Sequence, residues 1–196
     1  MSTHVRRAPV PRHVPAGAST IGDGIAVGEG RVTVDVYIDF QCPFCRAFEE
    51  AAGPTLRSTV DDGLATIVYH PMAFLDQLST NHYSFRAANA SGCASDGGRF
   101  VEYADALFAN QPPEGGPGLL DDELVEIGRS VGLNTPAFAQ CVRDRVYHDW
   151  VAYVTERAIE RGVSGTPTVL VEGVPVPANR RTIAAAVAAA VRAPSG

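Results

Sequence analysis

Thr33-Val-Asp-Val-Tyr-Ile-Asp39-Phe-Gln-Cys42-Pro-Phe-Cys45-Arg-Ala-Phe-Glu49 is the stretch on which the fold turns. Val34, Val36 and Ile38, with Val32 just before them, alternate with Thr33, Asp35 and Tyr37. That is the period-two pattern of a strand rich in β-branched residues. After Asp39-Phe40-Gln41 the period changes. Pro43 stands at a first helical position, where its missing N–H would have had no helical partner. Phe44, Phe48, Ala51 and Ala52 then recur at helical spacing, so a helix is predicted from Cys42 to about Val60, kinked at Gly53-Pro54. A Cys-x-x-Cys pair thus sits at the mouth of a helix fed by a buried strand.

The placement implies chemistry. Unpaired backbone N–H groups and the positive end of the helix dipole both favour a thiolate at Cys42. Cys45, one turn inward, can close a disulfide with it, so one sulfur would exchange with a partner's disulfide and the other would resolve the intermediate. The competing interpretation is half of a zinc site. Zinc needs two further ligands at matching spacing, whereas Cys93 and Cys141 stand apart and no closely spaced His pair exists. Redox chemistry is preferred, with no metal and no cofactor beyond the Cys42–Cys45 disulfide itself.

Outward from this core, Leu64 to His70 reads as a second strand after the turn Asp61-Asp62-Gly63. From about Ser79 to Gly162 the pattern is wholly helical, with Ser79 or Thr80 as a cap and Trp150, Val151, Val154 and Ala158 as the stripe of its last helix. Strands return at Thr168 to Val171 and Val174 to Val176 around the hairpin signal Glu172-Gly173. Ile183, Val187 and Val191 mark a closing helix. The expected fold class is α/β, one sheet interrupted by helices. Residues 31–78 and 163–193 form the sheet domain, 79–162 an all-helical insertion, and 1–30, rich in Pro and Gly, a flexible N-terminal segment.

Composition narrows the function. The 196 residues carry 45% hydrophobic and 19% charged side chains and a formal net charge of −6, which fits a packed body and excludes a nucleic-acid footprint. No apolar run is long enough to span a bilayer, and the first residues lack the apolar stretch of a signal peptide. Taken literally, the chain is soluble and unexported, which leaves a cytoplasmic setting open. Its Pro- and Gly-rich start also reads as the stalk left behind a trimmed anchor.

The segment Thr33 to Glu49 resembles the active-site segment of DsbA-like thiol–disulfide oxidoreductases of the thioredoxin superfamily. Val163-Ser-Gly-Thr-Pro-Thr168 resembles their second signature, a loop carrying a cis-proline. Asn81-His82-Tyr83-Ser84, followed by Arg86-Ala87-Ala88 and Cys93, is similar to the first insertion helix of actinobacterial members. The likeness runs from about Arg31 to Val191. It implies a thioredoxin fold, Cys42 as nucleophile, Cys45 as resolving thiol, and Thr166-Pro167 as a cis-peptide loop against the pair. It also implies a structural Cys93–Cys141 disulfide; two buried free thiols are the alternative. Such a bridge argues for an oxidising compartment.

Around the pair, Pro43 and Phe44 are expected to support the site. Phe44 is read either as an apolar contact for unfolded substrate or as packing. Asp39 is read either as a buried carboxylate exchanging protons with Cys45 or as a group holding loop N–H groups. The single histidines His70, His82 and His148 read as structural, and Asp121-Asp122-Glu123 as a helix first turn.

The activity expected is disulfide donation to exported proteins. A reductase, or a peptide-binding module with a vestigial CxxC, are the alternatives. Expected partners are unfolded or reduced proteins and a membrane redox partner that recycles the disulfide. The protein is expected to be a monomer, because the family's dimeric isomerases carry a long N-terminal dimerisation region that this chain lacks. The setting implied is extracytoplasmic, anchored or secreted in the full-length form.

Overall fold

The strand β2 (Val32–Ile38) lies at the centre of a five-stranded sheet ordered β1-β3-β2-β4-β5. The coordinates are a computed structural model describing residues 10–193. β2 pairs in parallel with β3 (Ala65–Pro71), in the register Val34 to Ile67 and Val36 to Tyr69. Parallel neighbours need a crossover, and α1 (Pro43–Asp61) supplies it, running unbroken through Pro54. On its other side β2 pairs antiparallel with β4 (Thr168–Val171), which turns through Glu172-Gly173 into β5 (Val174–Val176). α7 (Arg180–Arg192) then returns to pack beside α1, with Ile183 and Val187 buried. Val34, Val36 and Ile38 are wholly buried.

Five helices separate β3 from β4: α2 (Tyr83–Asp96), α3 (Phe100–Ala109), α4 (Asp121–Ser130), α5 (Pro136–Asp144) and α6 (His148–Glu160). Their starts follow local chemistry. Thr135 accepts from the Phe138 N–H and Pro136 takes the first helical position of α5. Asp121, Asp122 and Glu123 fill the first turn of α4. α2 begins at Tyr83 and not at Ser79. His82 is left-handed (φ 57°), and the Ser79 hydroxyl caps from outside by accepting the Tyr83 N–H at 3.0 Å. Asp76 of the short 3₁₀ turn Asp76–Leu78 accepts the Phe85 N–H at 3.1 Å. A disulfide joins Cys93 of α2 to Cys141 of α5 across 48 residues. In the chain-entropy model a loop of that length is worth about 4 kcal/mol.

One expectation is corrected. Order does not begin near Arg31: β1 (Ile25–Val27) pairs antiparallel with β3 at the sheet edge, and Ile25 is buried. The segment before it is fastened too. The Ala16 N–H donates to Asp96 at 2.8 Å, and the Trp150 indole N–H donates to the Gly22 carbonyl at 2.8 Å. The glycines that suggest a linker have a packing reason. A Cβ at Gly24 would lie 2.7 Å from the Tyr69 carbonyl, and one at Gly30 only 2.1 Å from the Ala65 nitrogen. Both let this segment pass close against the β3 backbone. The part of the expected flexible segment before residue 10 lies outside the described residues.

Candidate active site

Cys42 is the N-cap of α1, extended at φ −76° and ψ 117°. Its N–H donates to the Asp39 carbonyl at 3.0 Å, closing a turn between strand and helix. Its own carbonyl accepts the N–H groups of Cys45 (3.1 Å) and Arg46 (3.2 Å), the first turn of α1. Cys42 is 3% exposed, and its sulfur lies 3.4 Å from the Thr166 carbonyl oxygen. The Thr166–Pro167 peptide is cis. Both Cys42 and Cys45 are free thiols.

The two sulfurs are held in opposite states. Cys42 is lowered from the ordinary thiol range to about 6. The Cys45 thiol, donating to it, contributes most; the Thr166 side chain and the N–H groups of Cys45 and Phe44 add to this, against partial burial. Cys45 is wholly buried, and burial first, then its neighbour Cys42, push its thiol far up. The Asp39 N–H lies 3.5 Å from the Cys45 sulfur. The pair therefore offers one readily ionised sulfur beside the Thr166 carbonyl and one protonated sulfur behind it.

Asp39 is wholly buried at the end of β2. One carboxylate oxygen accepts the Gln41 N–H (2.9 Å) and the Ser84 hydroxyl (2.7 Å), and the other accepts the Leu75 N–H (2.8 Å). Of the two expected roles, these contacts are those of a group that holds loop N–H groups. Contact with the Cys45 sulfur is made by its backbone. Burial nevertheless raises the carboxyl to about 6, against those three hydrogen bonds.

Phe44 is 75% exposed and does not pack into the core. With Phe48, Ala51, Pro54, Thr166 and Pro167 it lines a groove of about 830 Å³, whose lining also includes Arg180 of α7. Pro43 takes the first helical position.

Three contributors escape sequence reasoning. Ser84 of α2 reaches Asp39, and the Gln41 side chain donates to the Leu75 carbonyl at 2.7 Å. Gln111, just beyond α3, donates to the carbonyls of Phe40 (2.9 Å) and Cys42 (3.0 Å). These partners lie 34 to 71 residues apart in sequence, and no local pattern announces them.

Comparison with known proteins agrees with this architecture. A family model described as Thioredoxin matches residues 20–189. The reduced disulfide oxidoreductase DsbG of Mycobacterium tuberculosis superposes with a TM-score of 0.74 at 31% identity, covering 87% of this chain and 86% of that one. Reduced DsbA of the same organism gives 0.70 at 32% identity, covering 79% and 85%. Among curated proteins, the Na(+)/H(+) antiporter NhaA 3 of Salinispora tropica is 31% identical over 145 residues. Those residues are 74% of this chain, which spans only 21% of the antiporter's length. The fold, with its likeness to these structures, defines a thiol–disulfide oxidoreductase of the DsbA and DsbG type. The chain belongs to the thioredoxin family.

Proposed function

We propose that the protein is a disulfide-donating oxidase of reduced or unfolded exported proteins, and that Cys42–Cys45 is its redox pair. The observation that carries this reading is the split between a thiol lowered to about 6 and a buried neighbour held protonated. Stabilising a thiolate stabilises the reduced form, and a pair more stable when reduced is a stronger oxidant.

In the oxidised protein a substrate thiolate attacks the Cys42 sulfur. The Cys42–Cys45 bond breaks, a mixed disulfide forms, and Cys45 leaves and takes up a proton. A second substrate thiolate then attacks the substrate sulfur of that bond and expels Cys42, whose low pKa makes it a good leaving group. Two electrons pass from the substrate dithiol to the pair. A membrane redox partner accepts them and restores the disulfide. The Phe44–Pro167 groove offers apolar surface to an unfolded segment, and the Cys93–Cys141 bridge supports an extracytoplasmic setting. Such an enzyme works as a monomer.

Equilibration with glutathione tests the direction. An oxidase gives a potential closer to roughly −120 mV than to the roughly −270 mV of thioredoxin, and rapid transfer of its disulfide to a reduced dithiol protein. A value near that of thioredoxin assigns the protein to the reductases instead. Insulin reduction unchanged between wild type and Cys42→Ser identifies a binding module with an idle pair.

A further inference from the structure

Gln111 belongs to no helix or strand and lies 69 residues from Cys42, yet its side-chain amide spends both hydrogens on the active-site loop. One goes to the Phe40 carbonyl and the other to the carbonyl of Cys42 itself. The amide is placed there firmly. The Gln111 N–H closes the end of α3 on the Phe108 carbonyl at 3.2 Å, and the Phe108 ring packs on Phe40 with centroids 5.1 Å apart.

We propose that Gln111 is a positioning residue of the redox pair, one that sets how readily Cys42 ionises and hence how oxidising its disulfide is. The proposal rests on the reading of Cys42 as the redox thiol. The physical reason is the carbonyl dipole. The Cys42 C=O sits in the same residue as the sulfur, and its negative end opposes a nearby anion. The first-turn N–H groups of Cys45 and Arg46 reach that oxygen at 3.1 and 3.2 Å along the helix, and the Gln111 amide reaches it at 3.0 Å from outside the helix. A third donor draws the oxygen's charge away from the thiolate. It also fixes the peptide that aims the sulfur at Thr166, and the same nitrogen satisfies the buried Phe40 carbonyl. The helices between β3 and β4 thus reach the reacting atom through one neutral side chain.

Gln111→Leu removes both donors at similar size, and Gln111→Glu puts acceptor oxygens where the donor stood. The readouts are the Cys42 thiolate titration, followed by ultraviolet absorbance or alkylation rate, and the equilibrium with glutathione. Gln111→Leu should raise the Cys42 pKa by about half to one unit and make the disulfide about three- to sixfold less oxidising at pH 7, tenfold being 29.6 mV. Gln111→Glu should move both further in the same direction. In the unaltered protein the Gln111 side-chain amide ¹⁵N resonance should shift with the Cys42 titration and stay still in Cys42→Ser. That measurement stands even where a variant folds poorly.

A merely structural Gln111 lowers the melting temperature and leaves the pKa, the glutathione equilibrium and the amide shift unmoved; this result overturns the proposal. A parent protein whose Cys42 shows no titration below the ordinary thiol range overturns the reading of Cys42 first, and the role of Gln111 with it.

Discussion

Serine in place of Cys45 should turn the protein into a trap for its substrates. In this variant the Cys42 thiolate attacks a disulfide of an oxidised substrate and expels one substrate sulfur as thiolate; with no Cys45 to displace the substrate from within, the mixed disulfide accumulates and survives on a non-reducing gel. Cys42→Ser should form no such adduct, because the remaining sulfur is wholly buried. The pH dependence follows from the causes of the Cys42 shift. With its pKa lowered from 9.0 to about 6, the native reduced thiol is about nine-tenths ionised at pH 7. Its alkylation rate should therefore rise through pH 6 and level off.

A depressed thiol contributes stability to the reduced native state. That contribution is absent below pH 6, develops between pH 6 and 9, and is complete above the unfolded pKa. Its size is about 1 kcal/mol at pH 7, where solvent around the half-buried sulfur screens part of it. Because the Cys45 thiol is the foremost cause of the lowering, Cys45→Ala should move the Cys42 titration upward and slow alkylation at pH 7 several-fold. Equal alkylation profiles for wild type and Cys45→Ala would refute the idea that one thiol stabilises the other.

How much of this is legible in the chain depends on whether the signal is local. β2, the hairpin around Glu172-Gly173 and the start of α1 were readable because alternation, turn chemistry and a proline after Cys42 are statements about neighbours. β1 was not. Its three residues are bounded by glycines that read as linker, and their purpose lies in the approach to β3, some 40 residues away. The Trp150 indole could be foreseen as buried, but not that it would find the Gly22 carbonyl. The same holds at the site. Cys42 and Cys45 announce themselves, whereas Gln41, Ser84 and Gln111 are ordinary polar residues until the fold brings Leu75, Asp39 and the Cys42 carbonyl to them. The start of α2 shows the remaining kind of error. Ser79 is a capping residue, as its type suggests, but the left-handed His82 delays the helix to Tyr83.

Asp39 brings these threads together, and replacing it should have the largest effect on stability. Asp39→Ala leaves the Gln41 and Leu75 N–H groups and the Ser84 hydroxyl without their acceptor. Each orphaned buried donor costs about 1–3 kcal/mol, so a loss of about 3–5 kcal/mol is expected once some relaxation is allowed, read as a lower urea midpoint. Asp39→Asn removes the titrating group and keeps one acceptor oxygen, its NH₂ replacing the other. The native carboxyl, raised from 3.8 to about 6, holds its proton more tightly than the unfolded chain does. Its contribution is therefore fully present below pH 3.8 and is lost as pH rises through 6, roughly 3 kcal/mol in all. Asparagine does not titrate. The destabilisation caused by Asp39→Asn should thus be greatest near pH 4 and shrink by about that amount by pH 7. A difference that stays constant across this range would mean that Asp39 does not change its protonation there. Its buried carboxylate would then be fully accommodated by the three donors, and the loop before Cys42 would owe its shape to hydrogen bonding alone.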